Sequence, residues 1–158
     1  MSAFIDPNDT RYDDRSRALV RVGRDAIAQE NPALLREYFS EDFTFHGPGA
    51  ELDFAGLEAN FARMRAAFSG FYCERYEIVS SGSLVGCRTE MGGTFDGPYE
   101  PTPFGTIHPD GGKFTLTLIN MFRYDEDGKL AEEWAQYDNL EMMRQLGVEL
   151  TAVDTHSV

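Results

Sequence analysis

The hydrophobic period changes along the chain, from three-to-four in the first half to two in the second. Within "DDRSRALVRVGRDAIAQEN" (13–31), Leu19, Val22, Ala26 and Ile27 recur at helical spacing. Asp13 or Asp14 can cap this helix, and Gly23 marks a possible close packing point. Asn31-Pro32 closes it and opens a short second helix, "PALLREYF", because Asn caps well and Pro suits a first turn. "DFTFHGPG" (42–49) reads as a short extended stretch. "GLEANFARMRAAF" (56–68) predicts a third helix, with Leu57, Phe61, Met64 and Phe68 on one stripe.

Alternation then takes over. "YCERYEIVSSG" (72–82) and "LVGCRTEMGGTF" (84–95) predict two strands around a Ser-Gly turn. "KFTLTLINMFRY" (113–124) and "KLAEEWAQYD" (129–138) predict two more, joined by the hairpin signal "DEDG". Between the pairs, "DGPYEPTPFGTIHPDGG" (96–112) is a proline-rich loop able to lie over a site. "NLEMMRQL" predicts a last short helix, stopped by Gly147. Helices first, then an antiparallel meander, then one helix: this is α+β segregation, with the helices laid on the concave face of a curved sheet. The reading gives a flexible arm over 1–12, one domain over 13–150 and a loose tail over 151–158.

Composition narrows the function. The 158 residues suit a single domain with one core. A net charge of −13 repels phosphate backbones and anionic lipid, though a pocket can differ from the average surface. The two cysteines, Cys73 and Cys87, show no metal or disulfide spacing and read as reduced thiols. No apolar run approaches a membrane span, and the acidic start does not resemble an export signal, so a soluble cytoplasmic protein is expected. No nucleic-acid, membrane, metal or cofactor site is expected.

Strand parity sketches a pocket. In 113–124, Leu116, Leu118, Asn120, Phe122 and Tyr124 share one face. It is taken as the inner one, because Asn120 is a polar residue set among large apolar ones. In 129–138, unbroken alternation puts Leu130, Glu132, Trp134, Gln136 and Asp138 together, and Ala131, Glu133, Ala135 and Tyr137 opposite. Asp138 stands where strand becomes helix. It is either a helix cap or a carboxylate in the pocket. His46 is either a loop histidine bonded to backbone or a proton donor entering the pocket, and His108 an exposed loop residue or a lid contact.

The segment "FRYDEDGKLAEEWAQYDNLEMMRQLG" resembles the C-terminal pattern of the SnoaL-like polyketide cyclases, through Arg123, Gly128, Lys129, Glu132, Trp134, Asp138, Gln145, Leu146 and Gly147. "AIAQENPALLREYFSEDFTFHGPG" is similar to the family's N-terminal helix pair and first short strand. The resemblance implies a nuclear transport factor 2-like (NTF2-like) cone whose interior Trp134 and Asp138 face. It also implies acid–base chemistry without a cofactor, by intramolecular aldol condensation of a small, largely apolar carbonyl compound.

The expected catalytic residues are Asp138, on the resemblance, and His46, as a proton donor in place of the family histidine. Asn120, Trp134, Gln136, Met91, Phe61, Met64, Phe68 and Phe122 are the expected substrate contacts. Family members often carry Gly-Thr-His in the third strand; here the triplet is Thr89-Glu90-Met91, with Met91 at the histidine position. Isomerase, dehydratase or epoxide hydrolase chemistry, or non-catalytic binding of a hydrophobic ligand, remain alternatives. A homodimer is expected through the outer sheet face, where Ile119, Met121 and Tyr137 are placed.

Overall fold

The alternation of Lys113–Tyr124 becomes the central strand of the molecule. Phe114, Leu116, Leu118, Asn120, Phe122 and Tyr124 are all buried, and their sequence neighbours are exposed. The computed structural model describes residues 4–153. It shows helix α1 (Asp14–Val22), continued by a π-helical turn over Gly23–Ile27, then α2 (Pro32–Tyr38), α3 (Phe54–Ala67) and α4 (Asn139–Gln145). The strands are β1 (Phe39–Gly47), β2 (Ala50–Asp53), β3 (Phe68–Ser81), β4 (Leu84–Phe95), β5 (Lys113–Tyr124) and β6 (Leu130–Tyr137). They form one open six-stranded sheet in the order β2-β1-β6-β5-β4-β3.

The α+β class is as expected, with two corrections to the sheet. A strand β2 follows the Gly-Pro turn, and β1 pairs with β6 in parallel, so the sheet is mixed rather than wholly antiparallel. A parallel pair needs a long crossover, and here it runs through residues 48–129. None of the described helices is long and apolar enough to cross a membrane.

Caps fix the helix starts. Asp13 accepts from Ser16 N at 2.7 Å, Asn31 from Leu34 N at 3.2 Å and Asp53 from Gly56 N at 2.8 Å. Each bond satisfies an amide that the first helical turn leaves unpaired. Gly23 sits where the π-helical turn meets β3, and a Cβ there would lie 2.9 Å from the Cys73 carbonyl oxygen. Only a glycine lets the two backbones approach so closely.

Phe68 stacks on Phe114 at 4.2 Å and joins Phe95 and Tyr99 at one end of the core. The N-terminal segment, expected as a flexible arm, is tied down from residue 4 onward. Ile5 is buried, its amide donates to Arg75 O at 2.8 Å, and its carbonyl accepts from Arg24. Of the expected loose tail, 151–153 are exposed and outside any element, and 154–158 lie outside the described residues.

Candidate functional site

The helices do not fill the concave face of the sheet. They leave a cavity of about 660 Å³ with a mostly apolar wall, including Leu57, Phe61 and Met64 of α3, Met91 of β4, and Leu116, Leu118 and Phe122 of β5. Its size and lining are those of a small-molecule site. The loop 96–112 lies over it as the sequence suggested: Tyr99 and Pro101–Phe104 contribute to the wall, Phe104 being 62% exposed at the rim. His108 is exposed and is not in the wall.

The last strand departs from simple alternation. Between the pairs Arg123↔Glu132 and Tyr124↔Leu130 the register shifts, because Ala131 is an extra residue in β6. Such a bulge reverses the parity of everything beyond it. Leu130 faces inward before it; Glu133, Ala135 and Tyr137 face inward after it, opposite Phe122, Asn120 and Leu118. Glu132, Trp134 and Gln136 pair with the outward Arg123, Met121 and Ile119.

The expected inward placement of Trp134, Gln136 and Asp138 is therefore corrected. Trp134 lies on the convex face, stacked on His46 with ring centroids 5.3 Å apart and covered by Arg123 at 4.9 Å. His46 follows Phe45, which lines the cavity, and so points the other way. Its Nε2 is 2.9 Å from Glu132 Oε1 and its Nδ1 3.3 Å from Glu51 Oε2. Gln136 is exposed.

Asp138 is exposed and caps α4, accepting from Glu141 N at 2.9 Å. The expected Asp138–His46 acid–base pair is not assembled in the cavity. Tyr137, expected outside, lines the interior instead. Asp138→Ala should lower stability by about 1 kcal/mol, and Asp138→Asn by much less, since Asn caps equally well; urea unfolding of the two variants checks this.

Of the other expected contacts, Phe61, Met64, Met91 and Phe122 line the cavity. Phe68 is buried behind it in the aromatic cluster. Asn120 is buried and faces inward, behind the wall, where it belongs to a chain of polar groups.

That chain contains the carboxylate which parity reasoning assigned to the wrong side. Glu133 is 8% exposed and lines the cavity. Its Oε1 accepts from Asn120 Nδ2 at 2.8 Å, Asn120 Oδ1 accepts from Thr89 Oγ1 at 2.6 Å, and Thr89 Oγ1 accepts from Arg75 Nη1 at 2.5 Å. Each hydrogen bond is oriented from the cation toward the carboxylate, so the chain spreads the Arg75 charge to Glu133 without direct contact.

Burial pushes the Glu133 carboxyl up to about 7; the Arg75 charge and the Asn120 hydrogen bond offset only part of that. Glu133 Oε2 has no hydrogen-bond partner among the described residues. Nearby, Tyr38 and Tyr124 share a hydroxyl–hydroxyl hydrogen bond, and burial pushes the Tyr124 hydroxyl up to about 12. Burial likewise raises the Cys73 thiol to about 11 and holds Cys87 above its usual range, so both stay neutral near pH 7.

Such a carboxyl can take a proton from a carbon acid and return it within one pocket. Sequence alone offered one hint: Glu133 shares its alternation set with Ala135 and Tyr137, as amphipathic a set as that of Trp134. Nothing in "KLAEEWAQYD" announces the bulge that decides between them.

Residues 17–146 match the family model described as SnoaL-like polyketide cyclase. Among solved structures, the chain is similar to wild-type IdmH from Streptomyces antibioticus, a candidate polyketide cyclase, with 27% identity and a TM-score of 0.69. That match covers 86% of this chain and 100% of IdmH. AclR from Streptomyces galilaeus, a candidate hydroxylase, superposes with a TM-score of 0.71 at 18% identity, over 89% of this chain and 85% of its own. A SnoaL-like candidate cyclase from Jannaschia sp. CCS1 gives 0.72 at 16%, over 86% and 93% respectively. No curated protein matches the sequence.

Proposed function

This chain belongs to the SnoaL-like polyketide cyclase family, and we propose that it catalyses enolisation and intramolecular aldol closure of a largely apolar compound with at least three carbonyls, with Glu133 as the acid–base group. The observation that carries this reading is a buried carboxyl, raised to about 7, in the wall of an otherwise mostly apolar cavity. In this reading ionised Glu133 removes the proton from the carbon between two carbonyls. The enolate carbon forms a bond to a third carbonyl carbon of the same molecule, and the alkoxide so produced takes the proton back from Glu133. The balance needs no redox partner.

The enclosure favours a folded substrate, and holding the reacting carbons together can contribute about 7 kcal/mol or more of the barrier. Proton–deuterium exchange into simple 1,3-diketones, followed by NMR, tests the first step without the natural substrate. Exchange that wild type accelerates and Glu133→Gln does not supports the reading; equal exchange by both would sink it.

A second reading, binding of a hydrophobic ligand without turnover, draws on two observations. Met91 stands where the resemblance implies a histidine, and Asp138 is a cap. It takes first place if no carbon acid exchanges faster with the protein than without it.

The convex sheet face leaves Ile119 60%, Met121 43% and Val79 71% exposed. A patch of that kind suits association with a second copy of the chain. A two-fold homodimer is the expected state, and a mass by light scattering that stays monomeric at tens of micromolar would count against it.

A further inference from the structure

The wall of the cavity inverts the charge of the molecule. The chain has 27 acidic and 14 basic side chains. Among the described residues, the charged groups lining the cavity are two arginines, Arg63 and Arg75, and one carboxyl, Glu133. Arg75 is 2% exposed. Among the described residues, only one of its five N–H donors is engaged by a side chain, through Nη1 to Thr89, and its Nε is buried without a partner. None of the ion pairs among the described residues includes Arg75. The Phe122 ring lies 5.5 Å away, and Glu133, linked to Arg75 through Thr89 and Asn120, is the nearest group able to offset its charge but holds its proton below about 7. The adjacent thiols cannot neutralise it, since burial holds both above their usual range.

An unpaired guanidinium in so dry a place is costly unless something anionic completes it. Arg63 adds a second cation nearer the covering loop. It donates to Pro101 O and Asn60 Oδ1 and lies over the Tyr99 ring at 4.7 Å, with no carboxylate partner among the described residues.

We propose that the cavity selects a largely apolar ligand bearing an anionic oxygen, a carboxylate or an ionised enol, and that Arg75 is the residue which receives it. A guanidinium suits a two-oxygen anion better than a single neutral carbonyl. The inference rests on taking this cavity as the substrate site, and it adds the substrate's charge to that reading. Its consequence is that a free acid, not the corresponding neutral ester, is the form that enters.

The test uses matched pairs: naphthoic acid with its methyl ester, and biphenylcarboxylic acid with its methyl ester. Both are titrated calorimetrically into the wild-type protein at about pH 6, where the acids are ionised and Glu133 keeps its proton. Each acid is expected to bind at least tenfold more tightly than its ester. Arg75→Met should bring the ratio close to one, while Arg75→Lys retains part of it, with thermal melts confirming that both variants fold.

If Arg75→Met does not fold, Arg63→Gln is expected to reduce the wild-type ratio severalfold. Esters that bind as tightly as acids, a panel in which no acid binds, or a ratio unchanged by a folded Arg75→Met would each overturn the proposal. Glu133→Gln should keep the acid preference, so a failure of the acid–base reading and a failure of this one are told apart.

Discussion

Glu133→Gln is expected to lower turnover of a polycarbonyl substrate by about a hundred- to ten-thousandfold, the usual contribution of a positioned general base. The substitution keeps the shape of the side chain, and the amide oxygen can still accept from Asn120 Nδ2, so the chain back to Arg75 survives. What is lost is the ability to take a proton.

In wild type, the rate should rise with pH through about 7, because the reactive form is the carboxylate and burial delays its appearance to that range. Asn120→Leu removes a hydrogen bond that favours the ionised form, so it should move the midpoint upward. A steady-state profile between about pH 5 and 9 checks both statements. A Glu133→Gln enzyme with a tenth or more of wild-type activity would move the base elsewhere.

The same substitution should make the protein more stable above neutrality. The Glu133 carboxyl sits at about 7 in the folded protein against 4.5 for its ordinary value. Between those limits the folded state holds a proton that the unfolded chain has released, so wild-type stability falls as pH rises through the window. The contribution is fully present below about 4.5 and lost above about 7. At about 1.4 kcal/mol per unit, the loss is roughly 3 kcal/mol.

Glutamine never ionises and avoids that loss. Urea unfolding at about pH 5 should therefore show similar midpoints for the two proteins, and at about pH 8 a clear advantage for Glu133→Gln. Equal midpoints at both values would mean that Glu133 is better solvated than its burial implies. Together the two results would place stability and activity in opposition at one residue, as is common where a site holds a charge in a dry environment.

Much of the fold was legible because its signals are local. The alternation over 113–124 gave the whole inner face of β5, since a residue's side on a regular strand depends only on parity. Asp13 and Asn31 were readable as caps because a cap is made within four residues. The Gly23 contact was suggested by a glycine inside a helical pattern, though its partner, the Cys73 carbonyl, is fifty residues away and could not be named. The wall residues Phe61, Met64 and Phe122 followed from helix and strand periodicity, and Met91 from the family resemblance.

The chemistry was less legible, because it turns on one backbone event. The sequence by itself determined the helices, the four long strands, the α+β order, the apolar character of the cavity and the presence of Asn120 on its inner face, but not the strand β2. It left Asp138 open between cap and pocket carboxylate, and it gave two equally amphipathic faces for β6. Only the tertiary structure decided these. The extra residue at Ala131 exchanges the faces, carrying Glu133 inward and Trp134 outward, and the turn into α4 leaves the Asp138 carboxylate on its own helix. The physical reason is that a bulge forms where the partner strand's register and the curvature of the whole sheet require it. The polar chain that partly offsets the burial of Glu133 likewise comes from three other strands, through Arg75, Thr89 and Asn120, which meet only when the sheet is assembled.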